Sequence, residues 1–155
     1  MKDIINKIKS EEGFRGRVYK CSEGHDTVGY GTKLPLTKEE LQIIKDIREY
    51  DVLPQDGKKI YPSEAEALLR HRLYPMLERL NEHKWFRYTE DEVRVVLCDM
   101  AYQLGWNGLC KFKKMLKAIV NGDYDRAANE LLDSKYANQT PNRAKRNAKL
   151  LRKCS

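Results

Sequence analysis

The sequence predicts an α+β fold: mainly helical, with a small N-terminal antiparallel sheet lobe and a larger helical lobe joined by a long helix. Three observations predict it. Side chains able to accept the orphan amide hydrogens of a first helical turn recur at Thr37, Ser63, Thr89 and Thr140. Short β-rich runs occur only near the start, as Arg17 to Lys20 and Thr27 to Tyr30, with the turn-forming SEGHD between them. Downstream, apolar residues recur at helical spacing.

Each element has its own signal. Asp3 is the expected cap of a short first helix carrying Ile4, Ile5 and Ile8, and Glu11 and Glu12 end it before Gly13. After the hairpin, Thr37 with Glu40 fits a capping box, as do Ser63 with Glu66 and Thr89 with Glu92. Leu53 to Lys59, containing PQDG, reads as an exposed loop. From Ser63 to His83 the pattern is long and amphipathic, through Leu68, Leu69, Leu73, Met76, Leu77 and Leu80, and Pro75 is expected to kink or divide it. Val93, Val96, Leu97, Met100 and Leu104 mark the core helix. Asp123 caps another helix, through Ala127, Ala128 and Leu131, and Thr140-Pro141 opens the last with proline where its missing N–H costs least.

With 155 residues the chain falls in the size range of one domain. The sheet lobe is expected over about 13–62, the linking helix over about 63–82, and the helical lobe over about 83–155 together with helix 1–12. Hydrophobic content of 41% supports a core, charged content of 34% a soluble surface, and no apolar run approaches the roughly 20 residues of a spanning helix. The start MKDIINKIKSEEG lacks the basic-then-apolar order of a secretory signal, so synthesis in a cytoplasm is expected. A formal charge of +7 points to a polyanionic partner: nucleic acid, an anionic membrane surface or an acidic wall polymer. Charge does not choose among them.

Cys21, Cys98, Cys110 and Cys154 lack metal-ligand spacing, and an intracellular chain of this size needs no disulfides. Cys98 and Cys110 read as buried small hydrophobes, Cys154 as an exposed thiol. His25, His71 and His83 do not have the spacing of a metal site, and TVGYGT is not arranged as a phosphate-binding loop. No cofactor or metal is expected.

Two charges stand in unfavourable places. A carboxylate at a helix C-terminus faces the negative end of the dipole, and Glu12 adjoins the glycine that turns the chain into the sheet. At a junction between lobes, partial desolvation would raise its pKa and make it a general acid. Arg143, in the first turn after Thr140-Pro141, opposes the dipole in the same way and has no local acidic partner. A remote carboxylate would explain both, and pairing Arg143 with Glu12 would orient the acid while pulling its pKa down. Two unrelated surface charges are the plainer account of these residues taken alone.

Glu12, eight residues, Cys21, five residues, Thr27 resembles the catalytic pattern of the phage-type lysozymes, whose middle position is usually Asp and sometimes Cys. EGFRGRVYKC and TVGYG resemble that family's opening hairpin, NQTPNRAKR its final-helix signature, and AYQLGWNG its cleft-lining helix end. These blocks stand in the family's order and span nearly the whole chain. The resemblance implies the lysozyme fold, with Glu12 as proton donor, Cys21 as the opposing catalytic position, Thr27 as holder of the attacking water, Arg143 as brace of the acid, and Tyr102 and Gln103 as cleft positions on the glycan. Sugar faces suit an aromatic such as Tyr102 or Trp106, although plain core packing accounts for Trp106 equally well.

The sequence departs from the family at several positions. An ordinary thiol is mostly neutral at pH 7 unless cations such as Lys20 or Arg17 lower its pKa, so Cys21 is a base, an electrostatic stabiliser or a tolerated side chain. Thr32 stands where a histidine is usual and Arg72 where its acidic partner is expected, so that ion pair is absent. Lys33, Met115 and Glu130 differ in type from the family's cleft residues. The resemblance implies a monomeric inverting muramidase of bacterial peptidoglycan, an endolysin made in a host cytoplasm that acts on the periplasmic wall after release. The basic tail RAKRNAKLLRK adds possible contact with an anionic membrane surface. A catalytically inactive wall-binding relative is the alternative. A nucleic-acid binder explains the charge but not the Glu12, Cys21, Thr27 spacing, and no nucleic-acid partner is expected.

Overall fold

The computed structural model describes residues 1–48 and 59–155, so the expected loop lies outside the described residues apart from Lys59. The chain forms two compact units, Ile5–Pro75 and Met76–Ser155, the latter including Met1–Ile4. Helix α1 (Lys2–Glu12) and helix α3 (Pro62–Asn81) each run across the division.

In the first unit, α1 starts at Lys2, which leaves Asp3 inside the first turn, where it complements the dipole without capping. Ile5 and Ile8 are buried. The helix closes with the Gly13 N–H donating to the Lys9 carbonyl at 2.9 Å. Strands β1 (Arg15–Lys20), β2 (Asp26–Gly29) and β3 (Thr32–Lys33) form an antiparallel sheet in that order. Two residues are too few to show alternation, so β3 has no period to read in the sequence. Tyr19 lies opposite Thr27, and Lys20 opposite Asp26, with an ion pair of 2.8 Å between the latter two.

Helix α2 (Lys38–Arg48) carries the expected capping box in both directions: Glu40 N–H donates to Thr37 Oγ1 at 3.1 Å and Thr37 N–H to Glu40 Oε1 at 3.0 Å. Helix α3 instead begins one residue before Ser63. Pro62 occupies the first helical position and Glu64, not Glu66, reaches back to accept the Tyr61 N–H at 2.8 Å. Glu66 is drawn away by Lys9 and by Arg70. Pro75 stays within one continuous helix. Leu68, Leu69 and Leu73 of α3 are fully buried, as are Ile44 of α2 and, at 1% exposure, Val28 and Ile60.

The second unit holds α4 (Lys84–Arg87), α5 (Asp91–Cys110), α6 (Lys113–Val120), α7 (Tyr124–Leu132), α8 (Lys135–Gln139) and α9 (Pro141–Lys153). Helix α9 packs on α5, α7 and α8. Val93, Val96, Leu97, Met100 and Ala101 bury the face of α5 that the spacing predicts, whereas Leu104 is only half-buried. At Gly105 the backbone leaves the helix, with φ 76°, a conformation that costs glycine least. Asp123 accepts the Arg126 N–H at 3.1 Å as expected. The Thr89–Glu92 box does not form: Glu90 is the N-cap, Thr89 Oγ1 lies 3.3 Å from Tyr124 Oη, and Glu92 pairs with Lys153 at 3.0 Å. All four cysteines are free; Cys98 is buried as expected, but Cys110 is exposed on the last turn of α5 and Cys154 is half-buried. Among the described residues no helix is long and apolar enough to cross a membrane, and no group of acidic, histidine and cysteine side chains could hold a metal.

Candidate active site

Glu12 ends α1 and its carboxylate lies against Gly31. A Cβ built on that glycine would fall 2.6 Å from Glu12 Oε2, and φ at Gly31 is +74°. A side-chain-free, left-handed residue therefore makes the room for the carboxylate. Neighbouring Glu11 is almost buried along its side chain and pairs with Lys7 at 2.5 Å.

Cys21 and Thr27 come together because β1 and β2 are joined by a tight hairpin, in which the Cys21 N–H donates to the His25 carbonyl at 2.9 Å. Thr27 is 1% exposed and its hydroxyl donates to the same carbonyl at 2.9 Å. That leaves the oxygen lone pairs of Thr27 as acceptors. The partly exposed Cys21 thiol ionises more readily than an ordinary thiol. Desolvation, the largest influence, opposes this, but hydrogen bonds from the backbone at Glu23 and His25 and the charge of Lys33 outweigh it. The source of activation is therefore Lys33 and the hairpin amides, rather than the Lys20 or Arg17 suggested by proximity in sequence. Lys20 is held by Asp26, and the cation that bears on Cys21 comes from β3.

Tyr19 was not visible as a site residue in the sequence. It faces the same side of the sheet as Thr27, because directly opposed residues of an antiparallel pair share a face. The Arg15 guanidinium stands over its ring at 4.7 Å. Burial, then the negative field of Glu12, raises its pKa, with Cys21 adding to that effect and Arg15 opposing it.

The departures at Thr32 and Arg72 have a structural counterpart. Thr32 is buried, and its hydroxyl lacks a hydrogen-bond partner among the described residues. Arg72 donates to both oxygens of the buried Glu40, at 2.7 and 3.0 Å, and to the Lys33 carbonyl at 2.8 Å. A different ion pair thus ties β3 to α2 and α3. A second bidentate pair, Arg48 with Glu64, is buried in the same unit.

In the second unit, Tyr102 and Gln103 lie on α5 immediately before the break at Gly105, both half-buried, and Gln103 Oε1 is buried without a partner among the described residues. Trp106, half-exposed, has the Arg79 guanidinium 5.5 Å from its ring centroid. Arg143 is 7% exposed and has a remote carboxylate, Asp99, to which it donates from Nε at 3.1 Å and Nη2 at 2.7 Å. Asn147 Nδ2 donates to Asp99 Oδ2 at 3.0 Å and lies 3.2 Å from Tyr136 Oη. Burial, then Asp99, pushes the Tyr136 phenol up to about 12. Asp99 escapes a reading by periodicity because it sits in the buried run of α5; an acid among Leu97, Cys98, Met100 and Ala101 is itself the available signal. Of the three positions that differ from the family's cleft, Met115 is buried at 1% exposure and belongs to the core, Glu130 is half-buried on α7, and Lys33 is exposed.

One compact unit thus holds a helix-end carboxylate against Gly31 and a hairpin that carries a buried hydroxyl and a thiol of lowered pKa. The family model described as phage lysozyme matches residues 9–152, and the chain belongs to the phage lysozyme family, whose kind is that of glycosidases. It is 28% identical over 152 residues to probable T4-type lysozyme 1 of Dictyostelium discoideum, covering 92% of this chain and 89% of that protein. To probable T4-type lysozyme 2 of the same organism it is 29% identical over 153 residues, with the same coverage. The pre-baseplate central spike protein Gp5 of Enterobacteria phage T4 is 30% identical over 154 residues, where 92% of this chain matches 26% of the longer protein.

Proposed function

We propose that the protein hydrolyses the β-1,4 bond between N-acetylmuramic acid and N-acetylglucosamine in bacterial peptidoglycan, with Glu12 as the acid. The observation that carries this reading is the hairpin that holds the Thr27 hydroxyl and the activated Cys21 thiol together in the unit that seats the Glu12 carboxylate. Glu12 protonates the glycosidic oxygen. Thr27, its proton committed to the His25 carbonyl, accepts a hydrogen bond from a sequestered water, and the Cys21 thiolate takes that water's proton as it attacks the anomeric carbon. Inversion follows, with an acid-to-base separation of roughly 6.5 to 9.5 Å across the bound sugar. Tyr102 and Gln103 contact the glycan, as the resemblance implies.

In this reading the protein is a monomeric endolysin, synthesised in a host cytoplasm and acting on the periplasmic wall to lyse the cell. The exposed cations Lys145, Arg146, Lys149 and Arg152 of α9 serve as a contact for anionic membrane surfaces. Purified peptidoglycan incubated with wild type and with Glu12→Gln tests the hydrolytic step. Soluble fragments are expected from wild type alone. Binding of both proteins to the wall without release by either would replace the enzyme by a wall-binding relative on the same fold.

A further inference from the structure

We propose that the notch between α6 and α7 is a binding site for a phosphate group carried on a saccharide, held by Lys114, Lys117 and Arg126. The site is a cavity of about 300 Å³, open to solvent and lined by these three cations with Ala118, Asn121 and Asp123. Its floor is fixed by the backbone. The Gly122 N–H donates to the Ile119 carbonyl and the Asp123 N–H to the Ala118 carbonyl, both at 2.9 Å, and Gly122 takes φ 73° to turn the chain from one helix into the next. Lys114 and Lys117, three residues apart, share a face of α6, and Arg126 comes to the same cavity from α7. None of the three side chains makes a hydrogen bond or ion pair with a described residue. Elsewhere in this unit exposed cations find partners: Lys153 takes Glu92 at 3.0 Å and Arg152 the Asn129 side chain at 2.7 Å.

A lone unpaired lysine on a surface calls for no explanation. Three cations converging from two helices repel one another, and two of them stand where their own helix repels them as well. Lys114 is the second residue of α6 and Arg126 the third of α7, next to the positive end of each dipole. The same misplacement at Arg143 is answered within the chain by Asp99; here most of the counter-charge has to come from outside. Asp123 supplies only part of it. One of its oxygens caps α7 by accepting the Arg126 N–H at 3.1 Å, and three cations against one carboxylate leave the cavity two positive charges in excess. Carboxylates in this protein are met by one planar guanidinium that donates to both oxygens, as at Glu40, Glu64 and Asp99. Two lysine point charges and an arginine set around a cavity suit instead a tetrahedral anion that presents acceptor oxygens in several directions, with the Asn121 amide as a further donor. A bare phosphate leaves most of the volume empty. The cavity is at the small end of those that take small organic molecules, which fits a phosphate carried on a sugar. None of these residues has a part in the hydrolytic reading, so the site stands or falls without it.

The test titrates nitrogen-labelled protein with glucose 6-phosphate at constant ionic strength and follows the backbone amide shifts, with glucose and inorganic phosphate as separate probes. Saturable shifts confined to residues 114–126 are expected, with glucose 6-phosphate bound about tenfold more tightly than inorganic phosphate and no saturable response to glucose. The triple variant Lys114→Gln, Lys117→Gln, Arg126→Gln should weaken glucose 6-phosphate by more than about tenfold. Because it removes mutual repulsion and two cations from first turns, its Tm without phosphate should equal or exceed that of wild type. Unchanged binding by the variant, or shifts centred on the cations of α9, overturns the site. Equal affinity for glucose 6-phosphate and inorganic phosphate overturns the saccharide as carrier. In that case co-sedimentation with phosphatidylglycerol vesicles, lowered in the triple variant, reassigns the cavity to a lipid headgroup. A fall in Tm of the phosphate-free variant shows the three cations to be satisfied within the chain and overturns the argument from repulsion.

Discussion

Asp99→Asn is a change of one atom that the structure makes severe. The carboxylate is wholly buried and accepts three hydrogen bonds, two from Arg143 and one from Asn147. An amide in its place removes the counter-charge of a guanidinium that is itself 7% exposed, and turns an NH2 toward groups that are already donors. Removing one member of such a pair costs about 3 to 5 kcal/mol, whereas replacing both by apolar groups is often nearly neutral. For a chain of this size that is a fall of roughly 6 to 20 °C in Tm. Urea unfolding followed by far-UV circular dichroism measures the loss. The double variant Asp99→Leu, Arg143→Met should lose less than the sum of the two single variants. A loss below about 1 kcal/mol for Asp99→Asn, or strict additivity in the double variant, would refute the reasoning.

Glu40 gives a pH prediction. Burial opposes its ionisation, but hydrogen bonds from Arg72 and from the Thr37 backbone outweigh it, so its folded-state pKa lies below the ordinary 4.5. A depressed carboxyl contributes stability above its unfolded pKa and loses it as pH falls through the folded one. The stability gap between wild type and Glu40→Gln should therefore be full at pH 7 and close only well below pH 4.5; a constant gap down to pH 2.5 would contradict it. In alkylation by iodoacetamide followed by mass spectrometry, the pH midpoint for Cys21 should lie below that of an ordinary thiol and rise in Lys33→Met, while Cys98, its thiol pushed by burial up to about 12, stays unmodified until unfolding. Gly31→Ala, which sets a Cβ 2.6 Å from Glu12 Oε2 at φ +74°, should cost about 1 to 2 kcal/mol of stability yet reduce wall hydrolysis far more. Equal activity per folded molecule would argue against that seat for the acid.

The helical part of the fold was legible because its signals are local. Side chains at a helix start and apolar residues three or four apart act within one or two turns, which is why α2, α7 and α9 begin where Thr37, Asp123 and Pro141 place them. The errors came from competition beyond that range. Ser63 and Thr89 lost their capping boxes because Glu66 and Glu92 found lysines from other helices, Lys9 and Lys153. The candidate trio Glu12, Cys21 and Thr27 came from a family resemblance, not from spacing, since nothing in a run of side chains states that Thr27 will be 1% exposed or that the charge of Lys33 will bear on Cys21. Arg143 was the one residue for which helix electrostatics raised a long-range partner. Its awkward position at a helix start suggested a remote carboxylate, taken to be Glu12, against the plainer account of a surface charge; the carboxylate that the structure pairs with it is Asp99, hidden in the sequence by the apolar residues around it.

The central claim is that Glu12 and the hairpin opposite it cleave a muramyl bond by direct attack of water. Mass spectrometry of muropeptides released from isolated peptidoglycan, with the anomer of the new ends followed at early times, tests it most directly. Reducing N-acetylmuramic acid ends of inverted configuration, produced by wild type and not by Glu12→Gln, are the predicted result. Retained configuration would replace the water route by a covalent Cys21 intermediate, and ends on N-acetylglucosamine, or none at all, would contradict the account.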